Sequence, residues 1–232
     1  MPDARTDGPP AARLVSTRSP RHPRGVVLVL HGGAGRPDRT AVSATQPSVL
    51  RMVPVALRVA RAGRGRLAVL RLLNSARGWD SNRTPVDDVR WAVEQVGERF
   101  GPDLPVALVG HSLGGRAALL AGDAAPVRSV VAMAPWLYES DGDRDLSGRR
   151  VLFVHGDEDR IASPVTARRV ATRLARTTDV GFVGVRGGKH AMLGRGGVFD
   201  GLAADFVAAT LLDDPPGPVV RRVLGGETTL EV

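Results

Sequence analysis

Six short apolar runs punctuate the chain, at residues 26–30, 67–72, 106–109, 127–133, 151–154 and 180–185. A strand with one solvated face alternates apolar and polar positions. Runs that stay apolar at consecutive positions are covered on both faces, as in a parallel sheet. The six runs therefore predict buried strands, and the weaker run 13–17 predicts an antiparallel edge strand before them.

The segments between carry helical spacing. Residues 48–62 read as an amphipathic helix that Pro54 kinks or delays. Thr84-Pro85 reads as an N-cap and first helical position, with Asp87 and Asp88 near the positive end of the helix dipole and Gly101-Pro102 as the stop. Helices are also predicted at 113–121, at 163–176 behind a second cap-plus-proline start at Ser163-Pro164, and at 198–212. Strands alternating with helices imply right-handed crossovers, hence an α/β domain with a mostly parallel central sheet and helices on both faces. The expected organisation is a flexible segment 1–12, one domain over 13–213, and a proline-rich tail or edge segment over 214–232.

A chain of 232 residues with 43% hydrophobic and 24% charged residues can bury one sizeable core unaided. It has no cysteine, which excludes disulfides, thiolate metal sites and a cysteine nucleophile. The net charge of +8 comes almost wholly from arginine, Lys189 being the only lysine. Those arginines are scattered and aromatics make up 4% of the chain, so a nucleic-acid partner is not expected. No apolar run at the start resembles a signal-peptide core and none elsewhere is long enough to span a bilayer. The expectation is a cytoplasmic protein with no membrane partner.

Candidate chemistry sits at the strand ends. Gly110-His111-Ser112-Leu113-Gly114 follows the run 106–109 and opens a helix, the setting of a G-x-S-x-G nucleophile elbow. A serine hydroxyl needs an adjacent base to act as a nucleophile, and the Leu113 N–H at the helix start is aimed to stabilise an oxyanion. Of five histidines, His22 lies in a proline-flanked polar segment. His111 adjoins the serine on a turn and does not face it, while His31 and His155 each end a strand before a glycine and suit structural hydrogen bonds. His190, in the loop Gly187-Gly188-Lys189-His190, is the histidine placed to serve as general base. A carboxylate to orient it is expected in His155-Gly156-Asp157-Glu158-Asp159; by composition alone, all three acids of that segment qualify.

With Leu30-His31-Gly32-Gly33, Gly110–Gly115, His155–Asp159 and Gly188-Lys189-His190 in that order, the chain resembles the α/β-hydrolase family from about residue 13 to 212. The resemblance implies a single-domain α/β-hydrolase fold and a triad of Ser112, His190 and Asp159. It also implies a second oxyanion donor at Gly33, with Ala34 the neighbouring option, because this chain has alanine where the fuller H-G-G-G form has glycine. Only residues 134–150 separate the fourth and fifth predicted strands, too short an insert for a cap domain, so an open site is expected. Trp79, Trp136 and Tyr138 are the expected substrate-pocket aromatics, with Leu137 beside them, whereas Trp91 is expected in the core. Asp80 and Arg83 are candidates for a polar substrate contact. The implied activity is hydrolysis of a small-molecule carboxylic ester or thioester through an acyl-enzyme, with no cofactor and no metal. The alternatives are a biosynthetic acyltransferase, cyclase or lyase on the same triad, or a non-catalytic ligand-binding member of the fold.

Overall fold

All six apolar runs become strands. In the computed structural model, which describes residues 11–80 and 83–232, these are β2 (Gly25–Leu30), β3 (Leu67–Leu73), β4 (Val106–His111), β5 (Val127–Met133), β6 (Arg150–Gly156) and β7 (Asp179–Val185). They pair in parallel, and β1 (Arg13–Arg18) adds antiparallel to β3 with a register shift between Ser16 and Arg18. The expected N-terminal segment 1–12 lies, up to residue 10, outside the described residues.

The sheet order is β1-β3-β2-β4-β5-β6-β7-β8. The chain runs outward from β2 to β3, then jumps back across β2 to β4. That reversal opens a crevice beyond the carboxyl ends of β2 and β4, where open α/β sheets place their ligands.

Both faces of the sheet are covered, which is why the strands read as continuous apolar runs. On one face Leu28, Leu30, Leu70, Leu108 and Phe153 pack under helices α2 (Thr84–Phe100), α3 (Leu113–Leu120) and α4 (Pro164–Leu174). On the other, Val27, Val29, Val69, Val109 and Leu152 pack under α1 (Pro47–Ala62) and α5 (Gly196–Leu212). Each such side chain, buried fully, contributes about 1.5–3 kcal/mol of transfer free energy. Trp91 packs against the first of these cores.

Helix α1 runs through Pro54 unbroken, so the proline removes one backbone donor without ending the helix. The start of α2 differs from the sequence expectation. Its N-cap is Arg83, in the left-handed region at φ 59°, and Thr84 is already helical. The cap is supplied from outside: Asp80 accepts from the Thr84 amide at 2.8 Å and from its hydroxyl at 2.6 Å. Those bonds hold the Asp80 carboxyl below its usual range, and they commit a carboxylate that had been a candidate substrate contact. Ser163, by contrast, caps α4 through its hydroxyl, with Pro164 at the first helical position.

Only a 3₁₀ turn, Glu139–Asp143, fills the connection between β5 and β6, and there is no large cap. After Asp213 the chain forms α6 (Pro218–Leu224) and a three-residue strand β8 (Thr229–Glu231) that pairs in parallel with β7. No described helix is long and apolar enough to cross a membrane.

Candidate active site

The elbow is built by close backbone packing. Ser112 takes φ 56° and ψ −121°, a strained conformation for a residue with a side chain, and its amide donates to the Met133 carbonyl at 3.0 Å. A Cβ on Gly110 would lie 2.2 Å from the Gly114 carbonyl oxygen, and one on Gly114 would lie 2.5 Å from the His31 oxygen. The two glycines are there because β4, α3 and the loop after β2 touch backbone to backbone. This packing lifts the serine to the edge of the sheet at the switch point.

The acid and base loops meet in the same way. A Cβ on Gly156 would fall 2.1 Å from the Gly188 carbonyl oxygen. Across this contact the Glu158 amide donates to Gly188 at 3.0 Å, and Asp157 Oδ1 accepts from the Gly187 amide at 2.7 Å. Asp157 thus serves the turn, while Asp159 faces His190.

The three side chains converge. The Ser112 hydroxyl lies 3.0 Å from His190 Nε2, and His190 Nδ1–H donates to Asp159 Oδ2 at 2.8 Å. Asp159 is buried, and Oδ1 also accepts from the Ile161 and Ala162 amides, both at 2.9 Å, while Oδ2 takes a second imidazole, His155, at 3.2 Å. Burial alone would push this carboxyl up. The donors from His155, His190, Ala162 and Ile161 outweigh it and hold the group well below the usual carboxylate range, so it is ionised.

Two further histidines, His31 and His111, make hydrogen bonds that tie loops together. His31 Nε2 accepts from the Asn74 amide at 3.2 Å and its Nδ1–H donates to the Gly32 carbonyl at 2.6 Å, which fixes one neutral tautomer. Burial keeps its pKa low. His111 donates from Nε2 to the His190 carbonyl at 2.8 Å, and its ring lies 4.9 Å from the His190 ring. Burial, then repulsion from a charged His190, pushes His111 down to about 3. Arg51, from α1, completes the clamp on this loop by donating to the Ala191 carbonyl at 2.8 Å and pairing with Asp200 at 3.0 Å.

Of the three amides expected as oxyanion donors, two are left without an acceptor among the described residues. Ala34 N–H is committed to the Arg77 carbonyl at 2.9 Å, within a short bridge to the loop after β3. The amides of Gly33 and of Leu113, at the start of α3, have no protein acceptor among the described residues. A Cβ on Gly33 would meet the Arg77 oxygen at 2.4 Å, so only glycine fits that close approach.

The expected aromatics gather around a buried cation. Arg116, one turn into α3 from the serine, is buried and forms a two-point pair with Asp141 at 2.8 and 3.1 Å. Its guanidinium lies 4.5 Å from the ring centres of both Trp79 and Tyr138, and Trp136 stands edge-on to Tyr138 at 5.0 Å. One face of Trp79 and one of Tyr138 are therefore taken by protein. The crevice lined by Trp79, Gly33 and Leu113 holds only about 10 Å³. The sequence expectation does not include this cation, although an arginine inside the Leu- and Ala-rich stretch after Ser112 signals a buried acid partner.

The sequence pattern described as the alpha/beta hydrolase family matches residues 92–210. No curated protein sequence matches the chain. Among solved structures it resembles Est1E from Butyrivibrio proteoclasticus with a TM-score of 0.64 and 14% identity, over 87% of this chain and 94% of that one. An alpha-beta serine hydrolase homologue from Coxiella burnetii gives 0.63 and 17%, over 83% and 90%. The Pyrococcus furiosus esterase Pf2001 gives 0.64 and 11%, over 82% of each. At such identities the likeness is one of fold. Taken with a family match spanning half of its length, it makes this chain a member of the alpha/beta hydrolase family.

Proposed function

We propose that the chain is a serine hydrolase that cleaves a carboxylic ester or thioester of a small molecule through an acyl-enzyme. The observation that carries this reading is the unbroken hydrogen-bonded series from the Ser112 hydroxyl through His190 to Asp159. His190 Nε2 accepts the serine proton as Oγ attacks the carbonyl carbon, and the ionised Asp159 stabilises the imidazolium that forms. The Leu113 and Gly33 amides receive the developing oxyanion. The imidazolium then protonates the leaving alcohol or thiol, and water deprotonated by His190 releases the acid. Several structural neighbours are named as esterases, and Est1E has also been solved with ferulic acid bound, which supports an ester-type substrate. The committed faces of Trp79 and Tyr138 and the lack of a large cap fit an open site that holds its substrate by a few contacts at the elbow.

The reading is tested by turnover of p-nitrophenyl acetate and butyrate. Ser112→Ala is expected to lower kcat/KM by about 10³-fold or more. Retention of wild-type turnover by that variant would place any hydrolysis elsewhere.

A further inference from the structure

The triad's acid serves two imidazoles. Asp159 Oδ2 lies 2.8 Å from His190 Nδ1 and 3.2 Å from His155 Nε2. The other neighbour of His155 Nε2, the Ala162 carbonyl at 3.2 Å, is also an acceptor, so Nε2 carries the proton. Nδ1 is buried with no partner, and the whole side chain is 0% exposed. A proton on Nδ1 would have no acceptor, so the ring is the neutral Nε2–H tautomer. Burying an orphaned lone pair costs stability that an apolar side chain would not cost. The imidazole is thus a poor choice for packing, and what it gains is the bond to Asp159.

We propose that His155 is a positioning residue of the triad, whose Nε2–H fixes the rotation of the Asp159 carboxylate and tempers the basicity that His190 feels. The proposal rests on the triad reading above. With the Ile161 and Ala162 amides on Oδ1 and the two rings on Oδ2, the carboxylate is held on both oxygens. Without His155, Oδ2 is left to His190 alone. It then rotates more freely, and as a stronger acceptor it stabilises the His190 imidazolium further. Other titratable or charged groups flank the assembly. On the His190 side these are His111, Arg51 and the loop pair Lys189–Glu158; Asp157 lies on the acid loop. Behind His155, the groove between α4 and the β7–β8 edge carries Arg168 paired with Glu231 and Arg169 paired with Glu139, with Arg173 beside them. None of these hydrogen-bonds to His155, whose Nε2 meets only Asp159 and Ala162 among the described residues.

The test compares His155→Phe, which fills the volume without a donor, with His155→Gln, whose amide restores one near the Nε2 position. For His155→Phe, kcat/KM is expected to fall about 10- to 100-fold, with the acid limb of the pH profile moving up by about 0.5–1 pH unit. His155→Gln is expected to recover most of the rate and the wild-type limb. A folded His155→Phe protein with an unmoved limb overturns the proposal, whether or not its rate falls, since a merely structural role would leave the limb in place. If the variants do not fold, ¹⁵N resonances of the wild-type histidines decide: a neutral ring protonated on Nε2 is expected at position 155, and one protonated on Nδ1 overturns it. That measurement does not depend on activity. Loss of the triad reading would show separately, as wild-type turnover by Ser112→Ala.

Discussion

Acid should destabilise this fold through His111. The ring is buried beside His190, donates to that residue's carbonyl, and has its pKa pushed from 6.5 down to about 3 by burial and by a charged His190. As pH falls below 6.5 the unfolded chain takes up a proton there that the folded protein refuses. Between about pH 6.5 and 3 the unfolded state therefore binds more protons, and stability is lost as pH falls. Each pH unit in that window is worth about 1.4 kcal/mol, so the loss from this one ring reaches about 2 kcal/mol at pH 5. The perturbation that isolates it is His111→Gln, which does not titrate but keeps a donor for the His190 carbonyl. Urea unfolding of both proteins at pH 7.5, 6.5, 5.5 and 5 gives the stability of each. Contributions from His31 and Asp159 are common to the two proteins and cancel. The wild type should lose about 2 kcal/mol more than the variant between pH 7.5 and 5. Parallel pH dependences would refute the reasoning.

Two further outcomes follow from the packing. Arg116→Leu leaves Asp141 buried without its partner and empties the space between Trp79 and Tyr138, so it should cost about 3–5 kcal/mol in urea unfolding. Adding Asp141→Leu should recover part of that loss, and no recovery would argue against the buried pair as its cause. Gly156→Ala places a methyl where the Gly188 carbonyl stands and must push the acid and base loops apart. It should cut esterase turnover by more than 10-fold, and an alanine variant with wild-type kinetics would contradict the contact.

The strands were legible because each parallel strand is buried on both faces, so its sequence is apolar at consecutive positions; the run at 26–30 and β2 differ by one residue. The expected nucleophile, base and acid were readable for a related reason. Ser112, His190 and Asp159 each sit beside glycines that close backbone contact demands, and those glycines mark the spots in the sequence. What escaped depends on partners distant in sequence. Arg83 at the start of α2 was hidden because the cap comes from Asp80, outside the usual cap position. The segment 214–232 carries little strand signal, since β8 has three residues and buries only Leu230. The hydrogen bonds of His111, His155 and Arg51 run to the His190 loop and Asp159, and periodicity carries no trace of such contacts. Arg116 escaped in the same way: the sequence carries no sign that its guanidinium lies over one face of Trp79 and one of Tyr138.

The central claim is that Ser112 is an activated nucleophile. Incubation with a fluorophosphonate followed by peptide mass spectrometry tests it without a choice of substrate. The account predicts one adduct per chain, on Ser112, forming at a rate that collapses in His190→Ala. An unlabelled protein, or an adduct on another side chain with Ser112 untouched, would contradict it.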